Sequence, residues 1–507
     1  MFFVLSFLSL LLLFYRTGLK IVFKNCNLFL SHLLCLFIIN VPGKQTNLYN
    51  GRIQLFFTSK AFFMQHKKQL LIVFSLIAFL ALSQCTKNAK IEEVGKAAAP
   101  NQHSKTKEPK KNLIEDGKQI FRFDAFGDEE FWSGLLHIDK AILGAKNGGF
   151  GTGVSPNAAL AVGLKVDAEA LPPNIVSGIT SHAINLDDPA TTLELLKLNA
   201  VVGVKGNFNQ SGVLQSIGIT CASCHSTVDN SFAAGIGKRL DAWPNRDLNV
   251  GAIISLTDNA QPIADMLHVT EPKLREVLGL WGSGRYPAIL FMDGKAFRPD
   301  GKIAANLIPA AFGLKGIDLT TYTGWGDISY WNSFVANLEM HGKGNFSDPR
   351  LNNPAKYPIA VENHFYNVIN NPDLITSKLP ALREYQHSIK APEPPANYFD
   401  KTAAARGKSI FLTKAKCASC HALPLYADNV LHTASEVGID DFDAQRSPTG
   451  KYRTTPLGGL FAKAKGGYYH DGRFETLADV VNHYNNHLTL NLSTKEKQNL
   501  VEYLKSL

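Results

Sequence analysis

Cys417-Ala418-Ser419-Cys420-His421 follows a run, Ala403 to Leu412, that reads as a helix. The same five residue types recur in the same order as Cys221-Ala222-Ser223-Cys224-His225. Two thiols separated by two residues reach the two vinyl groups on one edge of a haem, and a histidine directly after them faces the iron. The chain has seven cysteines and fifteen histidines. One chance match is then expected in roughly one such chain in several hundred, so a second by accident is negligible. The main competitor is zinc, which needs four closed ligands per metal, and the flanking helical patterns argue against it. The motifs predict two covalently bound haem c groups. One is on Cys221 and Cys224 with His225 as proximal iron ligand, the other on Cys417 and Cys420 with His421 in that role.

Working outward, the chain end is equally plain. Ser493-Thr494-Lys495-Glu496 is a capping box, and Leu500, Tyr503, Leu504 and Leu507 follow at helical spacing. A helix before the motif and another at the end is the arrangement of a small cytochrome c domain, here spanning 398–507. The Pro-rich stretch 391–397 reads as a linker, with an N-terminal haem domain over 113–390 before it. In that domain Asp116 to Trp132 has the apolar spacing of a helix, yet its Cys-x-x-Cys-His lies about a hundred residues further on. The expected fold is mainly α: two cytochrome c-like haem domains, the first enlarged by long loops. Gly149-Phe150-Gly151-Thr152-Gly153 follows no strand pattern and reads as a loop, not a nucleotide cradle. The five tryptophans all fall in the first domain, most of them as core, with one or two placed to sit between the haems.

The N-terminus carries most of the charge. The chain of 507 residues has a formal charge of +9, but residues 1–84 hold eight Lys or Arg and no acid, which leaves +1 for 85–507. That near-neutral body excludes nucleic-acid binding. Met64 opens an export signal: Lys67, Lys68, the apolar run Leu70 to Leu82, then a lipobox-like Leu82-Ser83-Gln84-Cys85. Residues 64–85 are read as that signal, 86–112 as a flexible tether, and 1–63 as a spurious upstream extension. The apolar stretch 28–41 is short for a membrane span. A periplasmic lipoprotein anchored at Cys85 is expected. Beyond Cys26, Cys35 and Cys85, every cysteine belongs to a haem motif, so none remains for a disulfide.

Each iron has a second axial position, and its occupant decides between electron transfer and peroxide or oxygen chemistry. From Met64 on, the methionines are Met64, Met266, Met292 and Met340; none follows His421. Tyr484, His483, His487 and His470 are the local candidates. At this point Tyr452-Arg453-Thr454-Thr455-Pro456-Leu457, then Tyr469-His470-Asp471-Gly472 and the helix Thr476 to Tyr484, resemble the C-terminal domain of bacterial di-haem cytochrome c peroxidases and MauG-type enzymes. The resemblance is specific over 403–507 and looser over 116–390, where the enlarged first domain is similar to that of di-haem rubber oxygenases. It implies Tyr484 at the distal position of the second haem, with His483 as rival. In the first domain, Thr323-Gly324-Trp325-Gly326 and the segment ending in Met340-His341-Gly342 echo that pattern. Met340 is the candidate distal ligand, with His341 and His268 as rivals.

Two classes of function follow. One is a di-haem peroxidase-type oxidoreductase, reducing hydrogen peroxide with electrons passed between the haems, or a related MauG- or rubber-oxygenase-like oxidase. The other is a pure electron-transfer cytochrome. Small redox proteins are the expected electron donors, peroxide or oxygen the substrate, and a lipid-anchored membrane surface the setting. No residue is singled out by spacing as the catalytic acid or base.

Overall fold

The computed structural model describes residues 110–507, together with a strand pair, Asn47–Tyr49 with Arg52–Gln54. The expected upstream extension, export signal and Cys85, and nearly all of the tether, lie outside the described residues. Six helices carry the argument: α1 (Lys110–Phe123), α2 (Ile328–Phe334), α3 (Leu379–Ser388), α4 (Lys401–Leu412), α5 (Leu477–His487) and α6 (Thr494–Lys505).

The helices pair twice in the same way: α1 lies on α3, and α4 on α6. Each crossing is made by a glycine. A Cβ on Gly117 would lie 2.0 Å from the Ala381 carbonyl oxygen, and one on Gly407 would lie 2.0 Å from that of Asn499. Such backbone approach admits no side chain at all. One turn further along, Phe121 meets Tyr385 edge-on at 5.6 Å, and Phe411 meets Tyr503 at 5.3 Å. Phe121, Leu382 and Tyr385 belong to one buried cluster; Phe411, Leu500, Tyr503 and Leu504 belong to another. The local sequences match, Gly117-Lys118-Gln119-Ile120-Phe121 against Gly407-Lys408-Ser409-Ile410-Phe411. This internal repeat escaped the sequence reading.

The caps explain the helix limits. Asp400 accepts the Ala403 N–H at 2.9 Å and starts α4. Thr476 with Asp479, and Ser493 with Glu496, form capping boxes at α5 and α6. The expected helix Asp116 to Trp132 is two elements instead. It begins earlier, at Lys110, and stops at Phe123. There Asp124 turns back to accept the Phe126 N–H at 2.9 Å, and Phe126 and Gly127 take left-handed φ of 56° and 81°. Phe131 and Trp132 then sit on a separate π-helical turn, Glu130–Leu135.

The long insertion in the first half is short helices and two-stranded sheets. One antiparallel hairpin, Val204–Phe208 with Leu214–Ile219, pairs Val204 with Ile219 and delivers the chain to Cys221. Gly149 to Gly153 is irregular, as read from the sequence. Trp132, Trp281, Trp325 and Trp331 are buried. Trp243 is the exception: half-buried, it meets Phe312 of its own half and Phe461 of the second, the latter at 5.5 Å.

Residues 391–397 form an irregular strap, yet the halves that it joins belong to one compact unit. Their seam is polar and specific. Arg446 forks onto Asp293 at 2.8 and 3.0 Å in the interior. The Leu307 N–H donates to the His470 carbonyl at 2.7 Å, and the Tyr357 hydroxyl to that of Arg446 at 2.9 Å.

The crossing geometry makes a sharp prediction. Gly407→Ala should destabilise the fold by about 3 kcal/mol, because the backbones must separate to admit one methyl group. Gly279→Ala, where nothing lies within 4 Å, should be neutral or stabilising by about 0.5–1 kcal/mol. Denaturant unfolding of both variants checks this; equal effects would contradict it.

Candidate functional site

Cys221, Cys224 and His225 line part of a cavity of 280 Å³ whose wall takes residues from both halves. All three are enclosed by the fold yet keep accessible surface, which faces this cavity. Burial pushes both thiols up to about 12, so both carry their protons. Most of the remaining lining is apolar: Trp132, Leu196, Ile217, Leu248, Ile308 and Trp331 among others.

The histidine is oriented by one hydrogen bond. His225 Nδ1 lies 3.0 Å from the Pro309 carbonyl oxygen. A carbonyl can only accept, so Nδ1 carries the proton and Nε2 keeps its lone pair. Burial also lowers the His225 pKa to about 4, which keeps the ring neutral. The second motif repeats this arrangement. His421 Nδ1 lies 3.0 Å from the Tyr426 carbonyl, and burial again lowers the pKa. Cys417 and Cys420 have raised pKa values, Cys417 to about 11, again through burial. A neutral imidazole with its outer nitrogen tied to a carbonyl is the state required of an iron ligand. The paired thiols, the oriented histidine and the apolar cavity fit a covalently attached haem at the first motif. The second motif has the same donor set.

Another part of the cavity wall comes from α2 and the π-helical turn that continues it, Val335–Glu339. Ile328, Trp331, Val335, Glu339 and Met340 line it, one face of a continuous helical path. Met340, the distal candidate of the sequence reading, lines the same cavity as Cys221, Cys224 and His225. Its carbonyl accepts the Trp132 indole N–H at 3.2 Å, which holds the end of the turn. Its rivals stand elsewhere. His341 stacks on Phe131 at 3.7 Å, and burial lowers its pKa to about 4. His268 is exposed and pairs with Glu362 at 2.7 Å. Neither is among the cavity-lining residues.

Glu339 is the residue that sequence reasoning missed. Its carboxyl is buried, neither oxygen accepts a hydrogen bond of good geometry, and burial lifts its pKa to about 8. Tyr286 lies close enough to moderate that shift. The available signal was the spacing Trp331, Val335, Glu339, which puts the acid on the apolar face of a helix.

At the second site, α5 separates the two distal candidates. Tyr484 is enclosed, with its pKa raised by burial; Tyr469, Cys420 and Cys417 are the groups that act on it. His483 points elsewhere: its Nε2 lies 2.9 Å from the Val437 carbonyl, and its ring packs on Phe474 and His487. His487 Nε2 lies 3.1 Å from the Glu436 carbonyl. His470 is on the seam, stacked on Tyr452 at 5.3 Å. Among the described residues, Cys420, Asp428 and His432 bring three donor atoms within 4.8 Å of one another. A structural zinc site closes with four, and here one donor belongs to the cysteine motif.

No family model and no curated protein matches the chain. A chain of hydrazine synthase from Kuenenia stuttgartiensis, studied under 20 bar of xenon, superposes with a TM-score of 0.20 and 26% identity. The match covers 26% of this chain and 55% of that one, about half its length. A superposition this loose carries no argument about fold or activity.

Proposed function

We propose that the chain is an exported di-haem c-type cytochrome of the peroxidase and MauG kind, reducing hydrogen peroxide with electrons from small redox proteins. Each half is then a cytochrome c-like domain, a reading supported by the repeated Gly crossing and the repeated orientation of His225 and His421. Bound haem would supply electron storage and the site of O–O cleavage. Reducing one peroxide to two waters takes two electrons and two protons.

The observation that carries the enzymatic reading is Glu339, a buried carboxyl beside Tyr286 in the wall of the first cavity. Enclosed in that wall, its carboxyl would hold a proton for release into the cavity. Tyr484, beside the second cysteine pair, supports an oxygen ligand there, as in MauG-type enzymes. Such a ligand favours ferric iron and gives that haem a lower potential than histidine with methionine would. One observation favours the alternative of a pure electron carrier: Met340 lines the same cavity as Glu339. A thioether on the first iron would close it to substrate. The lipid anchor at Cys85 completes the proposal; among the described residues no helix is long and apolar enough to cross a membrane.

Three experiments test this reading. Acid-acetone extraction should leave two haems on the wild-type chain and one on the Cys221→Ala/Cys224→Ala variant, since thioethers survive extraction; full loss of haem from the wild type contradicts the proposal. Tyr484→Phe should alter the ferric spectrum of one haem, while His483→Ala leaves both spectra intact; the reverse makes the second haem bis-histidine. Hydrogen peroxide should perturb the Soret band of the wild type, and Glu339→Gln should slow that reaction roughly 10²-fold or more at unchanged haem content. An inert Soret band means the electron carrier.

A further inference from the structure

Trp331 stands in the wall of the first cavity, and a chain of aromatic rings leads away from it. Its ring centroid lies 5.2 Å from that of Trp325 and 5.9 Å from that of Tyr330, and the Trp325 and Tyr330 centroids are 6.3 Å apart. These separations are those of rings in contact. Of the three, only Trp331 is among the cavity-lining residues. Trp325 and Trp331 are buried, whereas Tyr330 is half-buried and keeps surface open to solvent. The chain therefore connects the cavity wall with a ring that reaches the outside.

The three rings differ in what they can do with a proton. The indole Nε1 atoms of Trp325 and Trp331 are buried and have no hydrogen-bond partner. An electron taken from either indole leaves a cation that has nowhere to shed its proton. The Tyr330 hydroxyl instead donates to Asp348 Oδ2 at 2.6 Å, a short bond to a charged acceptor. Asp348 is itself held in place. Arg350 donates to it from Nε at 2.9 Å, from Nη2 at 2.8 Å and from its backbone N–H at 3.0 Å. The Arg350 guanidinium also lies over the Tyr330 ring at 5.3 Å. Burial works against the charge on Asp348, yet the hydrogen bonds from Arg350 and Tyr330 bring its pKa below the usual carboxylate range. Burial, then Asp348, raise the Tyr330 pKa, so the phenol keeps its proton until it loses an electron. An oxidised phenol is a strong acid, and here an ionised acceptor stands within hydrogen-bond reach.

We propose that Tyr330 is a redox-active tyrosine, oxidised from the first cavity through Trp331 with Asp348 as the acceptor of its proton. This rests on the peroxide-reducing reading above. Reducing one peroxide to two waters takes two electrons and two protons, and Tyr330 supplies one of those electrons. The electron passes to the cavity by way of Trp331. The phenolic proton moves to Asp348, which leaves a neutral phenoxyl radical on Tyr330. A one-electron donor of the small redox protein class then reduces that radical, and the proton returns from Asp348. Trp331 and Trp325 carry the charge only in passing, because neither can release a proton. The half-buried ring of Tyr330 is where the oxidising equivalent comes to rest, outside the cavity that peroxide enters.

The purified di-haem protein is mixed with hydrogen peroxide, frozen, and read by electron paramagnetic resonance. A tyrosyl radical signal should form in the wild type and be lost in Tyr330→Phe, while the Soret response to peroxide stays the same. Asp348→Asn, which removes the ionised acceptor, should slow its appearance roughly 10²-fold or more. Formation in the wild type should also slow in heavy water, because proton and electron leave together; a merely structural tyrosine would show neither effect. Tyr286, which lines the cavity itself, is the rival phenol. A signal that survives in Tyr330→Phe overturns the assignment, and its loss in Tyr286→Phe would move it there. A Soret response without a tyrosyl signal in the wild type overturns the relay and leaves the peroxide reading intact. A Soret band inert to peroxide sinks both. If Tyr330→Phe does not accumulate as folded protein, mass mapping of a nitroso spin-trap adduct on the wild-type chain decides: an adduct on Tyr330 supports the proposal, and one on another tyrosine overturns it.

Discussion

Both halves are framed by a helix crossing in which backbone touches backbone. Gly407 brings α4 against the Asn499 carbonyl, and only a residue without Cβ allows that approach. The consequence reaches the chemistry because α4 ends at Leu412 and the chain arrives at Cys417 within five residues. The depth of the crossing therefore sets where the thiols and His421 fall. In the first half the path is longer. α1 is clamped against α3 through Gly117, but the chain returns to Cys221 through an inserted hairpin. That hairpin explains how a half with a hundred residues between helix and motif can present the same donor set.

How much of this was legible in the sequence depends on how local each signal is. The capping box at Ser493 and the helix that it starts form a short-range pattern, read correctly from its own few residues. The break at Asp124 was missed because Phe126, Phe131 and Trp132 continue an apolar pattern while the backbone turns left-handed between them. The repeat Gly-Lys-x-Ile-Phe was present in the sequence, but its meaning lies in α3 and α6, whose contacts are more than ninety residues away from α4 and further still from α1. The acceptor for His225 could not be read at all. Pro309 is 84 positions along the chain, and a backbone carbonyl leaves no trace in residue type.

The distal candidates show why a register of one residue matters on a helix. Successive side chains on α5 point about 100° apart. His483 and Tyr484 are neighbours, and the structure gives them different surroundings: a carbonyl for His483, the cysteine pair for Tyr484. Periodicity alone could rank neither, because both lie within reach of the apolar face. The same logic applies to Glu339 and Met340, with a different outcome. The π-helical turn widens the helix by one residue, and both side chains line the cavity. A single turn then offers a carboxyl and a thioether to the same space.

The first cavity is not the property of the first half. Asp443, Ser447 and Arg453 of the second half close its wall. The pair Arg446–Asp293 stands beside this closure, buried and bidentate, where losing either partner would leave an uncompensated charge. Trp243 and Phe461 meet across the same seam. Building the cavity this way makes the environment of the first site depend on the position of the second, so a change at either can be felt at the other through packed residues.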